Sequence, residues 1–341
     1  MQTLSPPRFL LSFLFPLFLL AGTAVAGTEV FILHTNNTNG ALENCLCPGK
    51  SYGSLEKRVL YVRQWLRDHP NTVILDGGDF LSATSNTLKD SVAFRAYEMI
   101  PYDAIALGDQ EFFRGVSFLS GMMEGSALPF VSTNLTGPQL PDIKRKVIVA
   151  RSGVSFGILS ILDSRVFRFY PARIRDSIEI DPYENLLSQA VDELRGAVDV
   201  IVLLSHLGID EDRQLPEKIP GIDIIVGSHT QTVMEEPEKI GNTIIVQAGK
   251  DGYYVGRLKL TFDDEKKIES YAGDLVAMDI GLPNDSAVVA MIVEYNRLNR
   301  IRVGKRVQRI SPVPASFLVA SSGNCGVCHE DQQSHWSTTG H

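Results

Sequence analysis

Short apolar runs alternate with amphipathic stretches along most of the chain. The runs Glu29 to Leu33, Thr72 to Leu75, Ala104 to Leu107, Phe130 to Ser132, Val154 to Leu159, Val198 to Leu204, Ile222 to Val226 and Thr243 to Ala248 are of strand length and predict buried strands. Between them Ser54 to Asp68, Ser91 to Met99 and Glu184 to Ala197 keep a helical period. That is the β-α-β alternation of a layered α/β domain. Ser205, Gly227 and Gly249 each close a predicted strand. Gly252 to Phe262 and Gly273 to Asp279 predict a final antiparallel pair, ending a domain over residues 27–283. A helix over Asp285 to Leu298 and an extended connector with Pro312 and Pro314 make up residues 284–320, and a tail of different composition, 321–341, follows.

In sheets of this kind the loops behind the strand C-termini carry the chemistry. Five polar loops stand there: His34 to Gly40, Asp76 to Asp79, Gly108 to Phe112, Ser205 to Gly208, and Gly227 to Gln231. One His behind one strand is more often a satisfied loop residue than a ligand. Two Asp and two His on a common rim form an oxygen-plus-imidazole set suited to a divalent transition metal such as Zn, Mn or Fe.

The order and spacing of these loops resemble the calcineurin-like metallophosphoesterase domain of the 5′-nucleotidase and UDP-sugar hydrolase family, over about residues 29 to 283. The resemblance implies an α/β four-layer sandwich, two mixed β-sheets flanked by helices, with a two-metal site. By that resemblance one metal is held by Asp79 and Gln231 together with positions occupied here by Asn37 and Asn39, both weak neutral ligands. The other falls to Asp79, Asp109, His206 and His229. The family's catalytic His and its Asp partner map onto Gln110 and Phe113, and a Gln is neither a general acid nor a cation. The resemblance thus implies one metal site rather than two, and classical phosphatase activity that is weak or lost. The stretch after Pro283 is too short for the family's second, nucleotide-gripping domain.

Residues 1–26 read as a secretory signal peptide: Arg8, the apolar run Phe9 to Leu20, then Ala24-Val25-Ala26 as a cleavage site. The run is shorter than the roughly 18 to 20 residues of a spanning helix, so no stable membrane anchor is expected after cleavage. The expected location is periplasmic or otherwise exported.

Cys325-Gly326-Val327-Cys328-His329 is a CxxCH motif, in which two thiols attach haem c and the His ligates its iron. With Trp336 and His341 behind it, the tail resembles the opening of multihaem cytochromes of the c554 type. That resemblance makes His341, ahead of His335, the distal ligand. So short a haem-binding tail cannot bury a haem alone. The haem packs on the domain, is completed by a multihaem cytochrome or other periplasmic redox partner, or belongs to a longer chain with further haem motifs. Cys45 and Cys47, in the loop after Asn39, form either a local disulfide or a redox or soft-metal pair.

With 32 Lys plus Arg against 40 Asp plus Glu, the formal charge is −8, and no uninterrupted run of cations is longer than Lys144-Arg145-Lys146. Nucleic acid is therefore not an expected partner, since phosphate neutralisation needs grouped cations. Three functions fit these features: periplasmic electron transfer linked to a c-type cytochrome, an active single-metal phosphoesterase or nucleotidase, and a non-catalytic scaffold for a cytochrome partner.

Overall fold

The computed structural model describes residues 27–44, 52–136, 140 and 143–310, and of 303–310 the backbone alone. In chain order the strands are β1 (Thr28–Thr35), β2 (Thr72–Asp76), β3 (Ala104–Ala106), β4 (Phe130–Val131), β5 (Val147–Arg151), β6 (Val154–Leu162), β7 (Val200–His206), β8 (Ile224–Gly227), β9 (Glu238–Ile240), β10 (Thr243–Val246), β11 (Tyr254–Phe262) and β12 (Ile268–Ala277). The helices are α1 (Leu55–Asp68), α2 (Thr87–Glu98), α3 (Val116–Met123), α4 (Ala172–Arg175), α5 (Tyr183–Leu194), α6 (Ile209–Asp212), α7 (Leu215–Lys218) and α8 (Ser286–Ile310). No helix among the described residues is long and apolar enough to cross a membrane.

Two six-stranded sheets form, in the orders β12-β11-β1-β2-β3-β4 and β5-β6-β7-β8-β10-β9. β1 to β4 run parallel, as do β6, β7, β8 and β10, while β11, β12, β5 and β9 join antiparallel. Both sheets are mixed. The period-two alternation of side chains divides each apolar run between two cores. Val30 and Ile32 of β1, Val73 and Leu75 of β2, and Val200, Val202 and Leu204 of β7 fill the layer between the sheets. Leu33 and Ile74 face the other way, onto α1, α2, α3 and α8. Ile201 and Leu203 face α5, α6 and α7 on the far side. The result is four layers, helices on each outer face, as the sequence leads one to expect. Because both faces of the central strands are covered, these strands read as unbroken hydrophobic runs.

Element ends differ from the sequence reading for local reasons. α2 starts at Thr87 rather than near Ser91, because the Asn86 side chain accepts from Lys89 N and caps it. α5 stops at Leu194, two residues before Gly196, which takes φ +78°. β7 runs on through Ser205 to His206, and β10 ends at Val246, short of Gly249. β5, β9, α3, α4, α6 and α7 are additional elements. α8 continues well past Leu298 to Ile310, and its Val288 and Ile292 are buried in the same core as α1 and α2.

Candidate metal centre

The C-terminal ends of the parallel strands of both sheets open on one rim. His206 keeps the alternation of Val200, Val202 and Leu204 and so points into the gap between the sheets. Asp79 and Asp109 follow β2 and β3 of one sheet, and His206 and His229 end or follow β7 and β8 of the other. One sheet thus supplies the carboxylates and the other the imidazoles.

One donor atom from each of the four lies within 4.8 Å of every other. His206 Nε2 is 3.4 Å from Asp79 Oδ2 and 3.3 Å from Asp109 Oδ1, and His229 Nδ1 is 3.4 Å from Asp109 Oδ1. Asp79 and His206 are buried, whereas the His229 side chain keeps 35% of its surface and opens the cluster to solvent. His206 Nδ1 faces the Gly77 carbonyl at 3.1 Å, which fixes that nitrogen as donor and leaves Nε2 for the centre. Gly108 is required here, because a Cβ would collide with Asp79 Oδ1 and His206 Cε1.

Charge and burial oppose each other within the cluster. Burial disfavours charge on His206, yet the Asp79 charge and a hydrogen bond to Asp109 raise its pKa well above the ordinary value. Burial also disfavours charge on Asp109, but bonds from His206 and His229 hold its carboxyl far below the usual range. Two carboxylates and two imidazoles of this geometry fit a divalent transition metal.

No family model matches the chain. It is similar to the snake venom 5′-nucleotidase of Naja atra, 28% identical over 302 residues, covering 77% of this chain and 56% of that protein. The structure of a 5′-nucleotidase precursor from Thermus thermophilus superposes with a TM-score of 0.72 at 26% identity, over 80% of this chain and 59% of that one. The described domain has the calcineurin-like phosphoesterase fold of the 5′-nucleotidases. A calcineurin-like phosphoesterase from Bacillus subtilis shares the fold at 18% identity and a TM-score of 0.64, with 99% of its own chain covered. The present chain spans a little over half the length of the 5′-nucleotidases it matches.

Around the four donors the loops are under backbone strain. Asn37, Asn39, Asp79, His229, Gln231 and Asp251 all take φ between +45° and +67°, a left-handed region that non-glycine residues rarely occupy. Glu111 ties two of the loops together by accepting from Asp79 N at 2.9 Å, Leu81 N at 2.9 Å and Gly108 N at 2.7 Å. Burial, with the Asp79 charge beside it, pushes the Glu111 carboxyl up to about 8.

The positions expected to serve a second metal are engaged with one another. Asn37 Nδ2 donates to Asp79 Oδ2 at 2.9 Å, and Gln110 Nε2 donates to the same oxygen at 3.2 Å and to Asn39 Oδ1 at 2.8 Å. Asn39 Nδ2 in turn donates to Asp251 Oδ1 at 2.8 Å. Gln231 is half-buried, two residues beyond His229 in the same loop. Phe113 makes an edge contact with Tyr170, ring centroids 6.1 Å apart.

Tyr170, absent from the sequence reading, donates its hydroxyl to Asp109 Oδ2 at 2.6 Å. Nothing in the local sequence marks it, since it reaches Asp109 only through the loop after β6. Cys45, Cys47, Cys325, Cys328, His329, His335 and His341, and the signal segment 1–26, lie outside the described residues.

Proposed function

We propose that the chain is a metal-dependent phosphoesterase acting on phosphate monoesters of the nucleotide class, at the centre formed by Asp79, Asp109, His206 and His229. The observation that carries this reading is the convergence of those four donors within 4.8 Å on the rim of a 5′-nucleotidase-type fold. A divalent cation held there supplies Lewis-acid polarisation of a phosphoryl oxygen. Asp109 is held through one oxygen by Tyr170, which leaves Oδ1 for the centre. His229, the most exposed of the four, borders the side from which an ester enters. Gln110 has no proton to give a leaving group, so rates depend steeply on leaving-group acidity, and activated aryl phosphates turn over faster than nucleotides.

The test compares metal-free protein with protein reloaded with Mn, Zn or Fe, on p-nitrophenyl phosphate and a nucleoside monophosphate. Metal-dependent hydrolysis abolished by Asp109→Ala and by His206→Ala supports the reading. Hydrolysis indifferent to those substitutions, or none with any metal, overturns it.

The CxxCH motif at residues 325–329 favours a second, compatible reading. In it the exported chain carries haem c on Cys325 and Cys328, with His329 and His341 as axial ligands, and exchanges electrons with a periplasmic cytochrome and the Cys45/Cys47 pair. A reduced-minus-oxidised spectrum of protein made with haem-maturation machinery tests it. A haem signal lost in Cys325→Ser supports the reading, and no covalent haem sets it aside.

A further inference from the structure

The metal centre has a second flank, the side of Asp79 turned toward Asn37, Asn39 and Gln110, and the amide orientations there are fixed by backbone groups. Asn36 Oδ1 accepts from Ala248 N at 2.7 Å and Asn36 Nδ2 donates to Gly249 O at 2.8 Å, so that amide cannot flip without losing both. The same Nδ2 donates to Asn37 Oδ1 at 2.9 Å. Asn37 Oδ1 also accepts from Ser228 Oγ at 2.8 Å and from His229 N at 3.1 Å. With three donors on its oxygen, Asn37 turns its NH2 to Asp79.

From the other side Gln110 Oε1 accepts from Ala83 N at 3.2 Å. Asn39 Nδ2 is committed to the Asp251 carboxylate, so Asn39 presents its oxygen to Gln110. Gln110 therefore also turns its NH2 to Asp79. Its backbone N–H donates to the other oxygen, Asp79 Oδ1, at 3.0 Å. A cation on this flank would meet N–H hydrogens where it needs lone pairs, and the residues present do not fit one.

We infer that Asn37 and Gln110 act as positioning residues for Asp79, taking the place of a second cation with two amide donors, so that the chain binds a single metal ion. The amide donors stabilise the Asp79 carboxylate by hydrogen bonding and hold it still without a second metal. This rests on the metal-centre reading above.

The test counts metal. Metal-free full chain is saturated with Mn2+, for which thiols are poor ligands, dialysed and analysed for bound metal. One equivalent is expected, rising to two in Asn37→Asp/Asn39→His, together with a larger metal-induced rise in Tm than in the parent. Should that double variant not fold, Gln110→Glu, which brings a carboxylate to the same flank, is expected to take up the second equivalent. Two equivalents in the parent protein, or still one in the folded variants, overturn the inference. No metal in the parent removes the centre itself, and the inference with it.

Discussion

The Tyr170 hydroxyl and the Asp109 carboxylate are joined across the two sheets by a 2.6 Å hydrogen bond, at the oxygen of Asp109 that does not face the histidines. Partners of this kind orient a ligand, and their loss typically lowers metal affinity by about 10- to 100-fold. Tyr170→Phe keeps the ring against Phe113 and Phe167, whose contacts have centroids 6.1 and 5.3 Å away, so the fold is expected to survive. We expect a fall in affinity within that range in a chelator competition titration, with unchanged Tm of the metal-free protein.

Gln110→His supplies a group able to give a proton to a leaving oxygen. General acid catalysis is worth roughly 10²- to 10⁴-fold. The gain is expected on a nucleoside monophosphate and to be far smaller on p-nitrophenyl phosphate, whose leaving group does not need the proton. Equal gains on both substrates, measured as kcat/KM, would contradict the assignment.

Asp212 is buried on α6, with Oδ1 accepting from Ser205 Oγ at 2.5 Å and Oδ2 unpartnered. Burial pushes its carboxyl up to about 8. The folded state therefore holds a proton that the unfolded chain has already released, and stability from this group is lost as pH rises from the ordinary carboxylate value toward 8. Asp212→Asn, a neutral mimic, is expected to flatten that decline in urea unfolding followed from pH 5 to pH 8.5. A parallel decline in both proteins would show that Asp212 is not its source.

Gly256 on β11 lies against the imidazole of His34, and a Cβ there would overlap the ring at Nε2 and Cε1. His34 is buried, and burial alone lowers its pKa to about 4, so it is neutral and has no charge to draw it elsewhere. Gly256→Ala is expected to destabilise by about 1–3 kcal/mol, the usual range for overpacking. Thermal unfolding measures this directly, and an unchanged Tm would mean that the strand pair shifts to make room.

The sequence made much of this layout readable because the buried parallel strands appear as unbroken apolar runs, and each ligand stands immediately behind one. His206 could be found from β7 alone, by parity. β5 and β9 were not readable for the opposite reason. They are edge strands, partly exposed, and Glu238-Lys239-Ile240 carries too little apolar pattern to stand out. The role of Asn37 was beyond reach of local pattern, because its orientation depends on Asn36 and on Ala248 and Gly249, more than 200 residues away. Tyr170 was hidden likewise, its partner lying 61 positions earlier.

Because Asp79 and Asp109 come from one sheet and His206 and His229 from the other, neither half of the sandwich contains a binding site by itself. An ion at this centre works as a rivet across the seam. Its affinity reads out how firmly the two sheets are clasped, and stripping it should let the rim breathe first, visible as faster amide exchange at Gly77, Gly108 and Leu207 while the far end of the seam stays closed.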